Sequence, residues 1–246
     1  MRRMESVQTD YQSLEIWKSA EATEFRVAGA VHAFHHRRRF LTGLVWDMIA
    51  AAALLGEKAR PASVLMLGLA GGTSLRVLRH LLPDARFTAI DIDEQIVMLA
   101  RRHMELDALG IEVVIADAYR WLEKSRQTFD VVIDDIYLAG KTDVFRPRRW
   151  DPRLLGHLRR AIAPGGILAA NVLTGRGHRK TQSFVRQMLK SGFPRVRTVR
   201  SPQAMNEVLV AGQEVATRGR LRDFKLAFPH RSDRALWEAM TVERIP

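Results

Sequence analysis

The chain has 246 residues, 47% of them hydrophobic, so it can bury one good core and is most simply one domain with an appendage. It contains no cysteine, which excludes disulfides and thiolate metal sites and favours a cytoplasmic location. The net charge of +12 permits anionic partners, but the basic residues are spread along the chain without a base-reading motif, which argues against a nucleic-acid role.

The N-terminal part is predicted to be a small β element. Tyr11–Lys18 and Glu24–Val27 have the composition of short strands, and Val31–Phe34 can return as a third strand. Gly29 supplies the turn between the last two.

One helix is predicted between this element and the rest of the chain. Thr42 can cap it, and it runs to about Leu55. Its apolar stretch, 48–55, is far too short to span a bilayer, so no membrane association is expected. The sequence therefore predicts a small N-terminal β element plus a helix at 1–60, followed by a larger domain at 61–246.

From Ser63 onward the pattern alternates between strands and helices. The predicted strands are Val64–Leu67, Arg86–Ile90, Glu112–Ile115, Phe129–Ile133, Ile167–Val172, Arg195–Val199 and Val208–Ala211. The predicted helices are Ser74–Leu82, Glu94–Met104, Asp151–Ile162 and one that contains Phe184–Leu189. This alternation is typical of an α/β fold with a Rossmann-like, doubly wound and mostly parallel sheet. The polar tail beyond Val215 is predicted to carry Phe224 and Phe228 on a helix, with Trp237 as a late anchor.

A glycine-rich turn, GLAGGT at residues 68–73, leaves the first strand of this domain and enters a helix. Such a turn lets a ligand lie against bare backbone at the carboxyl end of the sheet. Asp91 ends the second strand about 20 residues later, where an acid can accept hydrogen bonds from ribose hydroxyls. Asp117 ends the third strand, where a carboxylate can meet an adenine amino group. Because Ala70 interrupts the glycines and the last one is missing, a dinucleotide site is not favoured.

Two further acids, Asp134 and Asp135, end the fourth strand, a common place for catalytic or substrate-binding groups. Strand alternation points them in opposite directions, so we treat Asp134 as a capping or surface acid with a possible substrate contact. Tyr137 is placed to line an acceptor pocket. The following loop holds arginines, Arg146 among them, that could recognise an anionic acceptor.

Residues 63–172 resemble a class I AdoMet-dependent methyltransferase and, within that superfamily, the spermidine synthase (polyamine aminopropyltransferase) family. The matching segments are VLMLGLAGGTSLRVLRH, FTAIDIDEQIVMLAR, VVIADAYRWL, FDVVIDDIY and IAPGGILAANV. The resemblance implies S-adenosylmethionine or decarboxylated S-adenosylmethionine as co-substrate, no metal, and a homodimer formed through the N-terminal strands. The cofactor-binding residues it implies are Gly68, Leu69, Ala70 and Gly72 in the turn, Asp91 and Ile92 at the ribose, and Asp117 and Ala118 at the adenine.

The resemblance also places Asp135 on the acid that accepts the amine proton, so Asp135 is the predicted catalytic residue. Three positions depart from the family. The family's glycine loop carries an aspartate that contacts the transferred aminopropyl amine, whereas this turn has only Leu69, Ala70 and Gly71. Leu138 replaces a second diamine-binding acid, and Val45 replaces a tyrosine. A cationic diamine needs several carboxylates to offset its desolvation, so these losses favour another acceptor.

Three functions stay open from the sequence. The first is methyl transfer from AdoMet to a small-molecule acceptor, which the missing acids favour. The second is aminopropyl transfer from decarboxylated AdoMet to an amine, as in polyamine synthesis. The third is a non-catalytic nucleoside- or nucleic-acid-binding protein on the same fold. A metal-assisted O-methyltransferase is discounted, because Asp135 and Asn171 offer only two oxygens and Ala170 stands where a partner acid would be.

Overall fold

The computed structural model describes residues 1–140 and 144–245. Its strands are β1 Arg2–Gln8, β2 Ser13–Lys18, β3 Ala22–Val27, β4 Ala30–His36, β5 Ser63–Leu67, β6 Arg86–Asp91, β7 Glu112–Ile115, β8 Phe129–Asp134, β9 Leu138–Ala139, β10 Val144–Phe145, β11 Ile162–Leu173, β12 Arg195–Arg200, β13 Asn206–Gly212 and β14 Thr241–Arg244. Its α-helices are α1 Val45–Ala53, α2 Thr73–Leu81, α3 Glu94–His103, α4 Ala118–Lys124, α5 Pro152–Arg160, α6 Arg179–Gly192, α7 Gly219–Arg222 and α8 Arg231–Ala239.

The central sheet has eight strands in the order β14-β12-β13-β11-β8-β5-β6-β7. The pairs from β11 through β8, β5 and β6 to β7 are parallel, and β13, β12 and β14 add antiparallel pairs at one edge. The strand order reverses between β5 and β8, so the segments that follow these two strands flank the crevice where such sheets bind ligands. The predicted mostly parallel α/β sheet with a small N-terminal β element is confirmed.

Helices cover both faces of this sheet. On one face α1, α2 and α3 join a large core that also receives Phe25 from the N-terminal strands and Phe228 and Trp237 from the tail. On the other face α4, α5 and α6 pack on a second core around Leu65, Leu67 and Val132. The β5 residues 64–67 are therefore covered on both sides, which explains their continuous apolar run. Within the described ranges, no helix combines the length and apolarity of a bilayer-crossing segment.

The N-terminal strands β1 to β4 form a separate antiparallel sheet that lies against the glycine turn. The Thr73 hydroxyl accepts a hydrogen bond from the Phe34 N–H at 2.9 Å and donates one to the Phe34 carbonyl at 3.1 Å. A Cβ on Gly71 would lie 2.5 Å from the Cβ of Ala33, so the two backbones approach as closely as glycine permits. The small sheet thus fixes the position of the turn.

A buried carboxylate makes a second connection between the two sheets. Asp93 caps α3 by accepting from the Ile96 N–H, and its other oxygen accepts from the Thr9 hydroxyl at 2.7 Å. We expect Asp93→Ala to lower the free energy of unfolding by about 2 kcal/mol, because it removes a helix cap and a buried hydrogen bond together. Urea denaturation measures this, with the exposed Asp84→Ala as control; equal stabilities for the two variants would contradict it.

The structure corrects several predicted elements near the ends of the chain. Thr42 does not cap α1, which begins at Val45; the buried Asp47 carboxylate accepts from the Thr42 and Gly43 N–H groups instead. The tail has two short helical turns around Phe224 rather than one helix. It then continues into α8, which carries Trp237, and the unpredicted edge strand β14.

Candidate functional site

A cavity of about 390 Å³ opens at the carboxyl ends of β5, β6 and β8. Five residues predicted to bind the nucleoside line it: Gly68, Asp91, Ile92, Asp117 and Ala118. Asp91 and Asp117, which follow different strands, therefore face one common cleft. Tyr137 and Leu138 lie on the opposite wall, with Ile136, Pro147 and Arg148. Tyr137, which was predicted to line an acceptor pocket, lines this cavity in the structure.

Asp91 holds the glycine turn in place. Its Oδ2 accepts from the Leu69 N–H at 2.7 Å and the Ala70 N–H at 3.0 Å, and its Oδ1 accepts from the Asp93 N–H at 2.9 Å. Burial raises the pKa of Asp91, and these donors oppose that shift. A carboxylate has roughly four acceptor positions, so one remains for a ligand hydroxyl.

Three predicted turn residues lie outside the cavity lining. Leu69 is buried and, like Ala70, directs its N–H to Asp91. Gly72 precedes α2 as its N-cap with a positive φ of 74°, and a Cβ there would come 2.8 Å from the Leu106 side chain. The family resemblance implied that these residues contact the nucleoside, and that role stays a prediction. In the structure they shape the turn, while Gly68, the fourth predicted turn residue, lines the cavity.

Asp117 is both a cavity residue and a helix cap. Its Oδ1 accepts from the Tyr119 N–H at 2.8 Å and the Arg120 N–H at 3.3 Å, which fixes the carboxylate at the N-terminus of α4. Helix α4 adds Tyr119, Arg120 and Glu123 to the cavity wall. Sequence reasoning missed these three, although Tyr119 and Arg120 directly follow Asp117 and Ala118, which was a usable signal.

Asp135 lies just beyond the end of β8, beside the glycine turn but outside the cavity lining. A Cβ on Gly68 would contact the Asp135 carbonyl oxygen and lie 3.4 Å from the Ile136 Cα, so the two segments touch. The Asp135 Oδ1 accepts from the Asn171 side-chain amide at 2.7 Å. Burial, with a smaller contribution from the nearby Asp134, raises the pKa of Asp135 to about 7 against the opposing effects of the Asn171 donor and the Arg146 charge.

Asn171 is itself held from two sides. Its side-chain carbonyl accepts from the Asn206 amide at 3.0 Å, and its backbone carbonyl accepts from the Tyr137 hydroxyl at 2.9 Å. Asn171 is 4% exposed, so its amide has little freedom to turn away from Asp135. Asn206 reaches this place because β13 runs antiparallel to β11 and pairs residue 206 with residue 173. The spacing of residues in the sequence does not predict this register between β11 and β13.

Asp134 has an environment unlike that of its neighbour. It is completely buried on the α4–α5 face, and both of its oxygens accept from Arg146 Nη2, at 2.9 and 2.7 Å. The Arg146 guanidinium lies over the rings of Tyr119 and Trp150. This corrects two expectations: Asp134 is neither a surface acid nor open to a substrate, and Arg146 is not free to bind an anionic acceptor. The remaining part of that loop, 141–143, lies outside the described residues.

A family model described as a methyltransferase domain matches residues 64–166. A probable polyamine aminopropyl transferase of Bifidobacterium longum is 31% identical over 133 residues, which is 54% of this chain and 28% of that protein. Polyamine aminopropyltransferase 1 of Aquifex aeolicus is 24% identical over 197 residues, 75% of this chain and 65% of that one. The chain therefore spans less than two thirds of the length of either relative.

Two solved structures share the fold. The spermidine synthase of Thermotoga maritima superposes with a TM-score of 0.72 at 17% identity, covering 100% of this chain and 85% of that one. Human methyltransferase-like protein 13, solved with SAH, gives a TM-score of 0.59 at 20% identity over 78% of this chain and 89% of that one. Together with the matched domain and the two relatives, these likenesses agree with the resemblance that the sequence motifs indicated. The chain thus carries a match to a methyltransferase domain over residues 64–166 and is similar in sequence to two proteins described as aminopropyl transferases.

Proposed function

We propose that this chain is a transferase that moves the aminopropyl group of decarboxylated AdoMet onto an amine. The names of its relatives support this, since both are described as aminopropyl transferases. The observation that carries the proposal is Asp135: a carboxylate with its pKa near 7, held by Asn171 and in contact with the turn that borders the nucleoside cavity. That placement suits a base that receives the amine proton.

In this proposal the nucleoside lies along the cavity from Asp117 to Gly68. Adenine lies against Asp117 and Ala118, the ribose meets the free acceptor position of Asp91, and the sulfonium reaches the turn beside Asp135. Asp135 takes a proton from the incoming ammonium. The amine lone pair then forms a C–N bond to the carbon that is attached to sulfur, and the C–S bond breaks. The electron pair of that bond stays on the sulfur, which becomes a neutral thioether.

Methyl transfer from AdoMet is the second candidate, and two observations favour it. The matched family model is a methyltransferase domain. The turn residues Leu69, Ala70 and Gly71 and the wall residue Leu138 carry no carboxylate for a second ammonium group of a diamine. Both reactions would use Asp135 in the same way, so the geometry of the base does not separate them.

The two candidates differ in the nucleoside that binds and in the product that forms. Calorimetry with AdoMet and with decarboxylated AdoMet, followed by mass spectrometry of reactions with mono- and diamines, separates them. Tighter binding of the decarboxylated nucleoside and release of methylthioadenosine support aminopropyl transfer. Release of S-adenosylhomocysteine would replace it with methyl transfer, and absence of turnover with a tightly bound nucleoside would favour a binding protein.

The turnover rate should depend on pH through Asp135. Its pKa in the folded chain is about 7, so the carboxylate is protonated and inactive below that pH and ionised above it. We therefore expect kcat to rise with pH through about 7. Asn171→Ala should move this limb to higher pH, because the lost donor no longer favours the ionised form. Asn206→Ala is the matched control, because Asn206 is one hydrogen bond further from Asp135, and it should shift the rise of kcat to higher pH by less. If Asn171→Ala left the pH of this rise unchanged, the assignment of Asp135 as the base would be contradicted.

A further inference from the structure

A basic groove, bounded by α6 and by the β12–β14 edge of the sheet, lies apart from the candidate site. It consists of two adjoining cavities, of about 360 and 200 Å³, that share Lys190 and Ile245. Its cationic lining residues are Arg179, Arg186, Lys190, Arg195, Arg197 and Arg244. Among the described residues that line these cavities, none is an aspartate or glutamate. The fold thus brings six of the chain's 39 lysines and arginines together in one groove.

Three of these arginines lie close to one another. Arg197 and Arg244 are direct partners across the antiparallel β12–β14 pair. Burial lowers the pKa of Arg197, and the positive charges of Arg244 and Arg195 lower it further. Like charges directly opposite each other destabilise a strand pair, so this arrangement costs stability in the unliganded chain.

Nearby acids compensate this cluster only in part. Arg195 has an acidic neighbour, Glu214, but the contact is 3.9 Å long and joins two side chains that are more than half exposed. Such a pair contributes little. Arg186 differs, because it is bound to the fully buried Glu207 and is neutralised by it. Arg197 Nε donates to the Val215 backbone carbonyl at 3.0 Å, a neutral acceptor that leaves its charge in place. The positive charge that no acid neutralises closely is therefore concentrated at Arg195, Arg197 and Arg244.

The shape and the chemistry of the groove indicate which anion fits. Helix α6 has 14 residues and is about 21 Å long, so the groove is elongated, and its concavity does not suit a flat membrane surface. Gln182, Ser183 and Gln187 add neutral donors between the cations, while the half-buried Phe193 packs on the second core beneath the Arg159 guanidinium. A positive groove that follows the phosphate backbone is the arrangement that proteins use for single-stranded nucleic acids without base preference.

We propose that this groove binds the phosphate backbone of a single-stranded nucleic acid, with Arg195, Arg197 and Arg244 contacting phosphates. Guanidinium groups suit this role because their planar donors match phosphate oxygens. The sequence has no base-reading motif, so the contact is independent of base sequence. It also does not depend on the proposed transfer reaction.

The test measures the binding of a fluorescein-labelled single-stranded RNA of mixed sequence, about 16 nucleotides long, by anisotropy over a range of salt concentrations. The groove variant is Arg195→Gln/Arg197→Gln/Arg244→Gln. The control, Arg2→Gln/Arg37→Gln/Arg102→Gln, removes the same three charges from exposed positions elsewhere. We expect the groove variant to bind about tenfold more weakly or worse, and its slope of log K against log salt to fall by about 2.

The control variant should keep the wild-type slope, and the melting temperature of the groove variant should not fall, since repulsion is relieved. Asp135→Asn should bind the RNA like the wild type, which separates this proposal from the transfer reaction. Equal losses in the two triple variants would overturn the proposal, because net charge alone would then explain binding. The proposal would also be overturned if the wild-type protein did not bind the RNA but bound poly-glutamate or anionic vesicles. The groove would then be assigned to an acidic polypeptide or to an anionic lipid surface.

Discussion

Replacing Asp135 with Asn is expected to lower kcat by about 10²–10⁴-fold, the usual contribution of a positioned general base. The amide keeps the size of the side chain but cannot accept the amine proton. Because Asp135 lies outside the cavity lining, the Kd for the nucleoside should stay within a few-fold of the wild-type value. Steady-state kinetics with the preferred nucleoside, and calorimetry of its binding, measure the two quantities separately.

The exposed Asp84→Asn is the matched control for this variant and should retain wild-type turnover. Undiminished turnover in Asp135→Asn would remove Asp135 from the reaction. A comparable loss of nucleoside affinity would show instead that the substitution disturbs the turn at Gly68, which touches the Asp135 carbonyl. These outcomes distinguish a lost base from a displaced binding site.

Breaking the Asp134–Arg146 pair should have the largest effect on stability. Asp134 is fully buried and the Arg146 side chain is 10% exposed, so Asp134→Ala leaves a buried guanidinium without its carboxylate. Removal of one partner of such a pair costs about 3–5 kcal/mol. Chemical denaturation of the wild type and of Asp134→Ala measures the difference directly.

Two further variants test the cause of that loss. Asp134→Leu/Arg146→Met removes both charges and should recover much of the stability, because no unpaired charge remains. Arg148→Ala breaks exposed contacts to Glu123 and Asp151 and should cost less than about 1 kcal/mol. If Asp134→Ala were no more harmful than Arg148→Ala, the buried pair would not hold this loop in place.

The sequence predicted the parallel part of the fold because strands buried on both faces leave a continuous apolar run, as at residues 64–67. It did not predict β1 or β14, whose residues RRMESVQ and TVER are charged and pair at sheet edges. It also extended a helix to Ile162 and began the next strand at Ile167. In the structure β11 starts at Ile162 and passes through that segment with a register shift against β8.

In the candidate site, too, some features were predictable from the sequence and others were not. Asp91, Asp117 and Asp135 were placed correctly at the carboxyl edge because each directly follows a recognisable strand. The partners of these acids were not predictable, since Arg146 reaches Asp134 across a loop and Asn206 reaches Asn171 through antiparallel register. The backbone N–H groups that donate to Asp91 were not predictable either, because a backbone hydrogen bond does not depend on the identity of the side chain. Assignment of Asp135 as the base and of the nucleoside contacts remains a prediction.

Because Gly71 and Ala33 are in contact, the residues of the small sheet and of the glycine turn must remain compatible with each other. Any side chain added at residue 71 would enter the space of Ala33 and Met104 and push β4 outward, and Thr73 bonds to the same strand. Recombination that exchanged the first 40 or so residues with those of a distant homologue would therefore misplace the turn unless helix α2 were exchanged too. Substitutions at residues 33 and 71 should accordingly covary.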